Sequence, residues 1–197
     1  MSWDIRKNQD ATVFSFQLHG HALTVVIATE RQAKTPYLYT EWTKMTGKKI
    51  LHVACATAPM RMDFVGKRVP HSCHVYGDDD VFEKEFHSFW EACLESAKND
   101  TAVLIFCQQG FHRSPLLLAA LMIKAGMTKD EAFRIIGDKR SIYHGCTAPF
   151  AEWPREEKNH KHQKVFWRRI QWLNKLMEDM TAYRTQIEQD QERVPNV

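Results

Sequence analysis

The stretch VLIFCQQGFHRSPLLLAALMIKAG, residues 103–126, decides the reading of this chain. AVLIF (102–106) is apolar at every position, as a central parallel strand covered on both faces should be. From Pro115 to Ala125 the apolar spacing predicts a helix, with proline suited to its first turn. Between them Cys107 and Arg113 stand six positions apart around Gly110. A strand that passes through a tight loop into a helix builds an anion site. The first helical amides have no intrahelical partner, and the helix dipole is positive there. Amides from Gln108 through Gln109, Gly110, Phe111 and His112 to Arg113 can turn inward as a nest. Gly110 permits a positive φ or a close ligand approach. Arg113 adds a planar fork that grips two phosphate oxygens. At the base of such a cradle the field that holds an anion also favours thiolate, and cysteine pKa falls from ~8.5 to roughly 3.5–7.5. Cys107 is therefore the candidate nucleophile. Ser114 is the hydroxyl that can donate to its sulfur and assist when the thiolate leaves.

The chain contains its own control. CATAPMR (55–61) repeats the cysteine–arginine spacing, also after a strand, with Cys55 and Arg61 at its ends. There Ala58 replaces the glycine, Pro59 sits inside the loop, Met62 follows the arginine, and no good helix begins behind it. The spacing alone is weak evidence. The glycine, the hydroxyl and the strand-to-helix setting give the second copy its specificity.

Length and composition set the frame. With 197 residues, 44% hydrophobic and 26% charged, the chain reads as one globular domain with a core about 11–183 and a polar tail over 184–197. A net charge of +3 is too small to point to nucleic acid. Five irregularly spaced cysteines with no C-x-x-C pair argue against a disulfide framework or zinc ribbon and for a reducing compartment. MSWDIRKNQD carries no apolar signal core, and no run approaches a membrane span, which predicts a cytoplasmic protein.

ATVFSFQL (11–18) and ALTVVIA (22–28) read as strands joined near Gly20, KILHVAC (49–55) and CHVY (73–76) as two more. YLYTEWTKM (37–45) reads as a helix. A second carries Phe82, Phe86, Phe89 or Trp90, Cys93 and Ala97 at helical spacing. Thr128 and Glu131 open another through Ile136, with Gly137 as its stop. Residues 145–163 read as a polar loop, and Phe166, Ile170, Leu173, Met177 and Met180 mark a long amphipathic closing helix. Strands alternating with helices imply an α/β fold with a central, mainly parallel sheet flanked by helices.

CQQGFHRS resembles the signature loop of the protein tyrosine phosphatases, and its surroundings resemble the small dual-specificity branch. KKILHVACA, HVYGDDD, GMTKDEAFRIIGDKRSIYHG and FWRRIQWLNKLMEDM resemble that branch's strand before the variable region, its acid loop, its paired helices and its closing helix. The likeness spans roughly residues 22–180. It implies that Cys107 attacks phosphorus in line and forms a phosphocysteine. The amides of Gln108 to Arg113 and the Arg113 guanidinium hold the phosphoryl oxygens. An upstream aspartic acid protonates the leaving oxygen and then activates water. Counting four past Val75 gives Asp79, with Asp78 and Asp80 as alternatives; the competing reading of all three is helix capping and first-turn charge. The resemblance implies no metal and no cofactor, and a phosphorylated protein as substrate. The alternatives are a phosphoinositide or RNA 5′ phosphate, and a phosphatase-like module that binds without turnover. Lipid-acting members tend to carry lysines in the loop; this one has two glutamines and a histidine.

The sequence departs from the family pattern in three places. Phe106 stands where a histidine usually buttresses the loop and helps set the thiolate pKa, so a more basic Cys107 and slower turnover are expected. Phe111 and His112 are bulky where glycine or serine is common at the second position. The segment GCTAPFAEWPREEKNHKHQK is longer than usual and carries His160 and His162, whose simpler reading is a solvated basic run rather than a metal site. Cys73, Cys93 and Cys146 read as core or surface thiols.

Overall fold

The computed structural model describes residues 10–57, 68–148, 150–152, 155, 158 and 161–192. Five strands form one sheet. They are β1 (Thr12–Leu18), β2 (His21–Thr29), β3 (Ile50–Cys55), β4 (Val69–Ser72) and β5 (Ala102–Cys107), in the spatial order β1-β2-β5-β3-β4. Only β1 and β2 pair antiparallel; every other neighbour is parallel. The hairpin between β1 and β2 turns through His19 and Gly20, both at positive φ, as a two-residue primed turn requires. β5 lies at the centre of the sheet and is buried at all six positions, which is why it reads as an unbroken apolar run.

Helices cover both faces. α1 (Glu30–Ala33) and α2 (Pro36–Thr46) lie on one side, where Tyr39 and Trp42 pack with Val26, Val53, Leu104 and Phe106. α3 (Asp79–Lys98), α4 (Arg113–Lys124), α5 (Lys129–Lys139) and α6 (Lys161–Glu192) contribute to the larger cluster on the other. α4 is buried from Ser114 to Ile123, a helix apolar all round because it lies under its neighbours.

The structure differs from the sequence reading at four elements. The fourth strand is Val69–Ser72, not residues 73–76. Pro70 masks it in the sequence, but an edge strand tolerates a proline. Residues 73–76 carry the expected apolar side chains, with Cys73 and Val75 buried, yet turn at His74, whose carbonyl accepts from the Gly77 amide at 2.8 Å. α5 runs through Gly137 to Lys139; Gly137 is not at positive φ, and a Cβ there would meet only Ile142 at ordinary contact distance. Thr128 does cap this helix, accepting from the Glu131 amide at 3.2 Å. Within the expected loop 145–163 there are single turns of 3-10 helix at His144–Cys146 and Phe150–Glu152, and α6 begins at Lys161. At its far end α6 continues past residue 180 to Glu192, through much of the expected tail.

Candidate active site

The loop Gln108–His112 joins β5 to α4 at the carboxyl end of the central strand. Gly110 adopts φ +70°, and its amide donates to the Cys107 sulfur at 3.3 Å. A Cβ here would collide with the Arg140 guanidinium and come within 3.0 Å of the Ala28 carbonyl oxygen. Glycine is thus required twice, for the backbone and for the space. No side chain caps α4 at His112, so its first amides stay available to an anion. Arg113, the first residue of α4, keeps a buried Nε without a hydrogen-bond partner. Its guanidinium sits 5.2 Å from the centre of the Tyr76 ring.

Cys107 is 1% exposed. Burial pushes its thiol up. The Ser114 hydroxyl and amide, and the Arg113 guanidinium and amide, outweigh that and hold it below the ordinary cysteine value. The Ser114 hydroxyl is wholly buried, and the Cys107 sulfur is the group its proton serves. The other cysteines behave oppositely: burial pushes up Cys55, Cys73, Cys93 and Cys146. All five are free thiols.

Sequence reasoning missed Arg140, the residue just past α5. It is completely buried beneath the loop. Its Nε donates to the Gly110 carbonyl at 2.7 Å, and Nη1 donates to the Thr12 hydroxyl at 2.9 Å and the Asp10 carbonyl at 3.1 Å. Burial pushes this guanidinium down to about 10, opposed by the charge of Cys107. A basic residue at a helix end ordinarily reads as a dipole partner; nothing local marks one that turns inward.

The expected acid loop is clamped from α6. Arg169, 1% exposed, lies 3.8 Å over the Phe82 ring. It donates through Nε to the Val75 carbonyl and through Nη2 to the Gly77 carbonyl, both at 3.1 Å. Asp79 opens α3, with its carboxylate 3.1 Å from Arg169 Nη1 and 3.4 Å from Arg168 Nε. Asp78 occupies the N-cap position without a side-chain capping bond, and Asp78 and Asp80 are exposed. From this segment Tyr76 reaches the Gln108–His112 loop, through His112. Phe106 faces the α1–α2 core.

A cleft of about 1150 Å³ opens beside the loop. Gln108, Gln109, Phe111 and His112 line one wall, and Thr29, Arg31, Tyr37 and Tyr143 line others. Among the described residues no cluster of three histidines, cysteines or acids is able to hold a metal. His160 and the side chain of His162 lie outside the described residues, as do Ala58, Pro59, Arg61 and Met62 of the control loop. No described helix is long and apolar enough to cross a membrane.

No protein-family model matches the sequence, and a comparison with curated proteins finds no match. Solved structures do match. A protein tyrosine phosphatase (putative) from Leishmania major superposes with TM-score 0.53 at 15% identity, over 81% of this chain and 98% of that one. Human DUSP28 gives 0.51 at 14% identity, over 78% and 90%. The human tyrosine phosphatase-like serine/threonine/tyrosine-interacting protein gives 0.50 at 16%, over 77% and 91%. At such identities the likeness speaks for architecture, and on that ground the chain is built on the dual-specificity phosphatase fold.

Proposed function

We propose that this chain is a cysteine-dependent phosphatase that hydrolyses phosphotyrosine, and phosphoserine or phosphothreonine besides, in proteins of a reducing intracellular compartment. The observation that carries this reading is Cys107 itself: a fully buried thiol held below its ordinary value, at the foot of an uncapped helix and beside an arginine with an unmet donor. An unpaired buried donor costs roughly 1–3 kcal/mol, which a bound oxyanion at Arg113 Nε would relieve.

In the proposed reaction the Cys107 thiolate attacks phosphorus in line and the ester oxygen departs with a proton from the acid loop. The Arg113 fork and the loop amides hold the equatorial oxygens as charge builds. Water then attacks the phosphocysteine as it gives a proton back to the deprotonated acid, the sulfur–phosphorus bond breaks, and a hydrogen bond from Ser114 steadies the departing thiolate. Asp79 is the assigned acid. Its pairing with Arg169 and Arg168 must open for that role, so Asp79→Asn, Asp78→Asn and Asp80→Asn, assayed on an alkyl phosphate, separate the three candidates. The charged groups among the described cleft residues are Arg31 and Asp10, a balance that favours a singly phosphorylated protein over a polyanionic lipid or RNA end.

A second reading, capture of phosphoproteins without turnover, draws on the Asp79 ion pairs and on Phe106. One assay divides them. The wild type hydrolyses an aryl phosphate, and Cys107→Ser loses turnover while still binding inorganic phosphate. Equal activity in both proteins refutes the mechanism. Binding without hydrolysis in the wild type favours the module.

A further inference from the structure

The side chain at position 106 is an apolar ring in the α1–α2 core, so it offers the loop no hydrogen bond. The loop is held by other elements. From below, Arg140 grips the Gly110 carbonyl. From one side, the Tyr143 amide donates to the Phe111 carbonyl at 2.9 Å. From the acid-loop side, the Tyr76 hydroxyl shares a hydrogen bond with His112 Nδ1 at 2.6 Å. His112 is also stacked on Phe166 of α6, centroids 4.4 Å apart and planes 15° apart, and meets Tyr143 edge-on at 4.5 Å. Three separate segments therefore converge on one imidazole, which immediately precedes the phosphate-gripping arginine. The ring of Tyr76 faces the Arg113 guanidinium. One tyrosine thus touches both the imidazole that ends the loop and the cation that begins the helix.

Resting on the phosphatase reading above, we propose that the Tyr76–His112 pair is a positioning latch: it fixes the end of the phosphate loop and the Arg113 fork in their anion-gripping geometry and ties them to the segment that carries the acid. The latch acts through Arg113 and the loop amides, and transfers no proton itself. Were it only a packing contact, losing the hydroxyl alone, with the ring retained, would leave the chemistry of Cys107 untouched.

Two measurements on Tyr76→Phe, His112→Ala, His112→Asn and the Tyr76→Phe/His112→Ala double variant test this. The first is the pH dependence of Cys107 alkylation by iodoacetamide, read by mass spectrometry at that residue. The second is kcat and KM for an aryl phosphate. Tyr76→Phe is expected to keep the wild-type melting profile, to raise the alkylation midpoint by about half a pH unit or more, and to lower kcat about tenfold. His112→Asn, whose amide can reach the Tyr76 hydroxyl, is expected to recover most of what His112→Ala loses. The double variant is expected to be no worse than the poorer single one, as members of one contact behave. A Tyr76→Phe alkylation profile that superimposes on the wild type, or losses that simply multiply in the double variant, overturns the latch. Alkylation needs no turnover, so a wild type that alkylates at low pH but hydrolyses nothing counts against the phosphatase reading and leaves the latch to be judged on its own profile.

Discussion

Cys55 and Cys107 end neighbouring parallel strands, are both 1% exposed, and each precedes an arginine by six residues, yet their thiols move in opposite directions. At Cys55 burial wins, and hydrogen bonds from Thr57 do not overcome it. At Cys107 the same burial loses to Ser114 and Arg113. The difference therefore lies in what each strand leads into. β5 enters a loop whose glycine turns an amide onto the sulfur, and then a helix with an uncapped start. Spacing alone does not set a thiol's acidity; at Cys107 the Ser114 hydroxyl, the neighbouring amides and the Arg113 charge bring it down.

Substitutions that exchange the two cysteines' fates probe this contrast most strongly. Cys107→Ser is expected to lower kcat for an aryl phosphate by at least about 10⁴-fold, whereas Cys55→Ser keeps the wild-type rate; a steady-state assay of both decides it. Next comes the fork. Arg113→Lys retains the charge but not the planar pair of donors, and should cost roughly 10²–10³ in kcat, read from the same assay. Smaller again is Gly110→Ala, which forces a left-handed backbone costing about 1–2 kcal/mol and presses on Arg140 and Ala28. Chemical unfolding should show that loss, together with a rise in the Cys107 alkylation midpoint.

The smallest expected effect lies between β3 and β4, away from the loop. His52 Nδ1 and His71 Nε2 are 2.9 Å apart, and burial pushes His52 down and His71 down to about 4. Between pH 6.5 and about 4 the unfolded chain binds a proton at His71 that the folded chain refuses. Stability should be full above pH 6.5 and decline as the pH falls toward 4, by at most about 1.4 kcal/mol per pH unit and less where the ring meets solvent. A His71→Gln variant should flatten that part of the melting-temperature profile.

Much of this was readable from residues that act locally. The consecutive apolar positions of β5, the glycine, and the helical pattern after Pro115 are short-range signals, and together they placed Cys107, Arg113 and Ser114 at one strand-to-helix junction. What escaped depends on contacts distant in sequence. Arg140 is 30 residues from the carbonyl it holds, and only the packing of α5 turns it inward. Tyr76 reads as the end of an apolar strand, but its hydroxyl finds a partner 36 residues later. Asp79 was legible as an acid next to a helix start, while its commitment to Arg168 and Arg169, about 90 residues on, was not. Even β4 was displaced for a tertiary reason, since only its place at the sheet edge lets Pro70 take part.

The contrast between the two thiols can be measured in one experiment: residue-resolved alkylation of Cys55 and Cys107 across pH 4–10, with and without inorganic phosphate. The account predicts that Cys107 reacts with a midpoint below that of an ordinary thiol and is protected by phosphate, while Cys55 reacts only at high pH and is indifferent to it. Matching midpoints for the two residues, or no protection of Cys107, would contradict it.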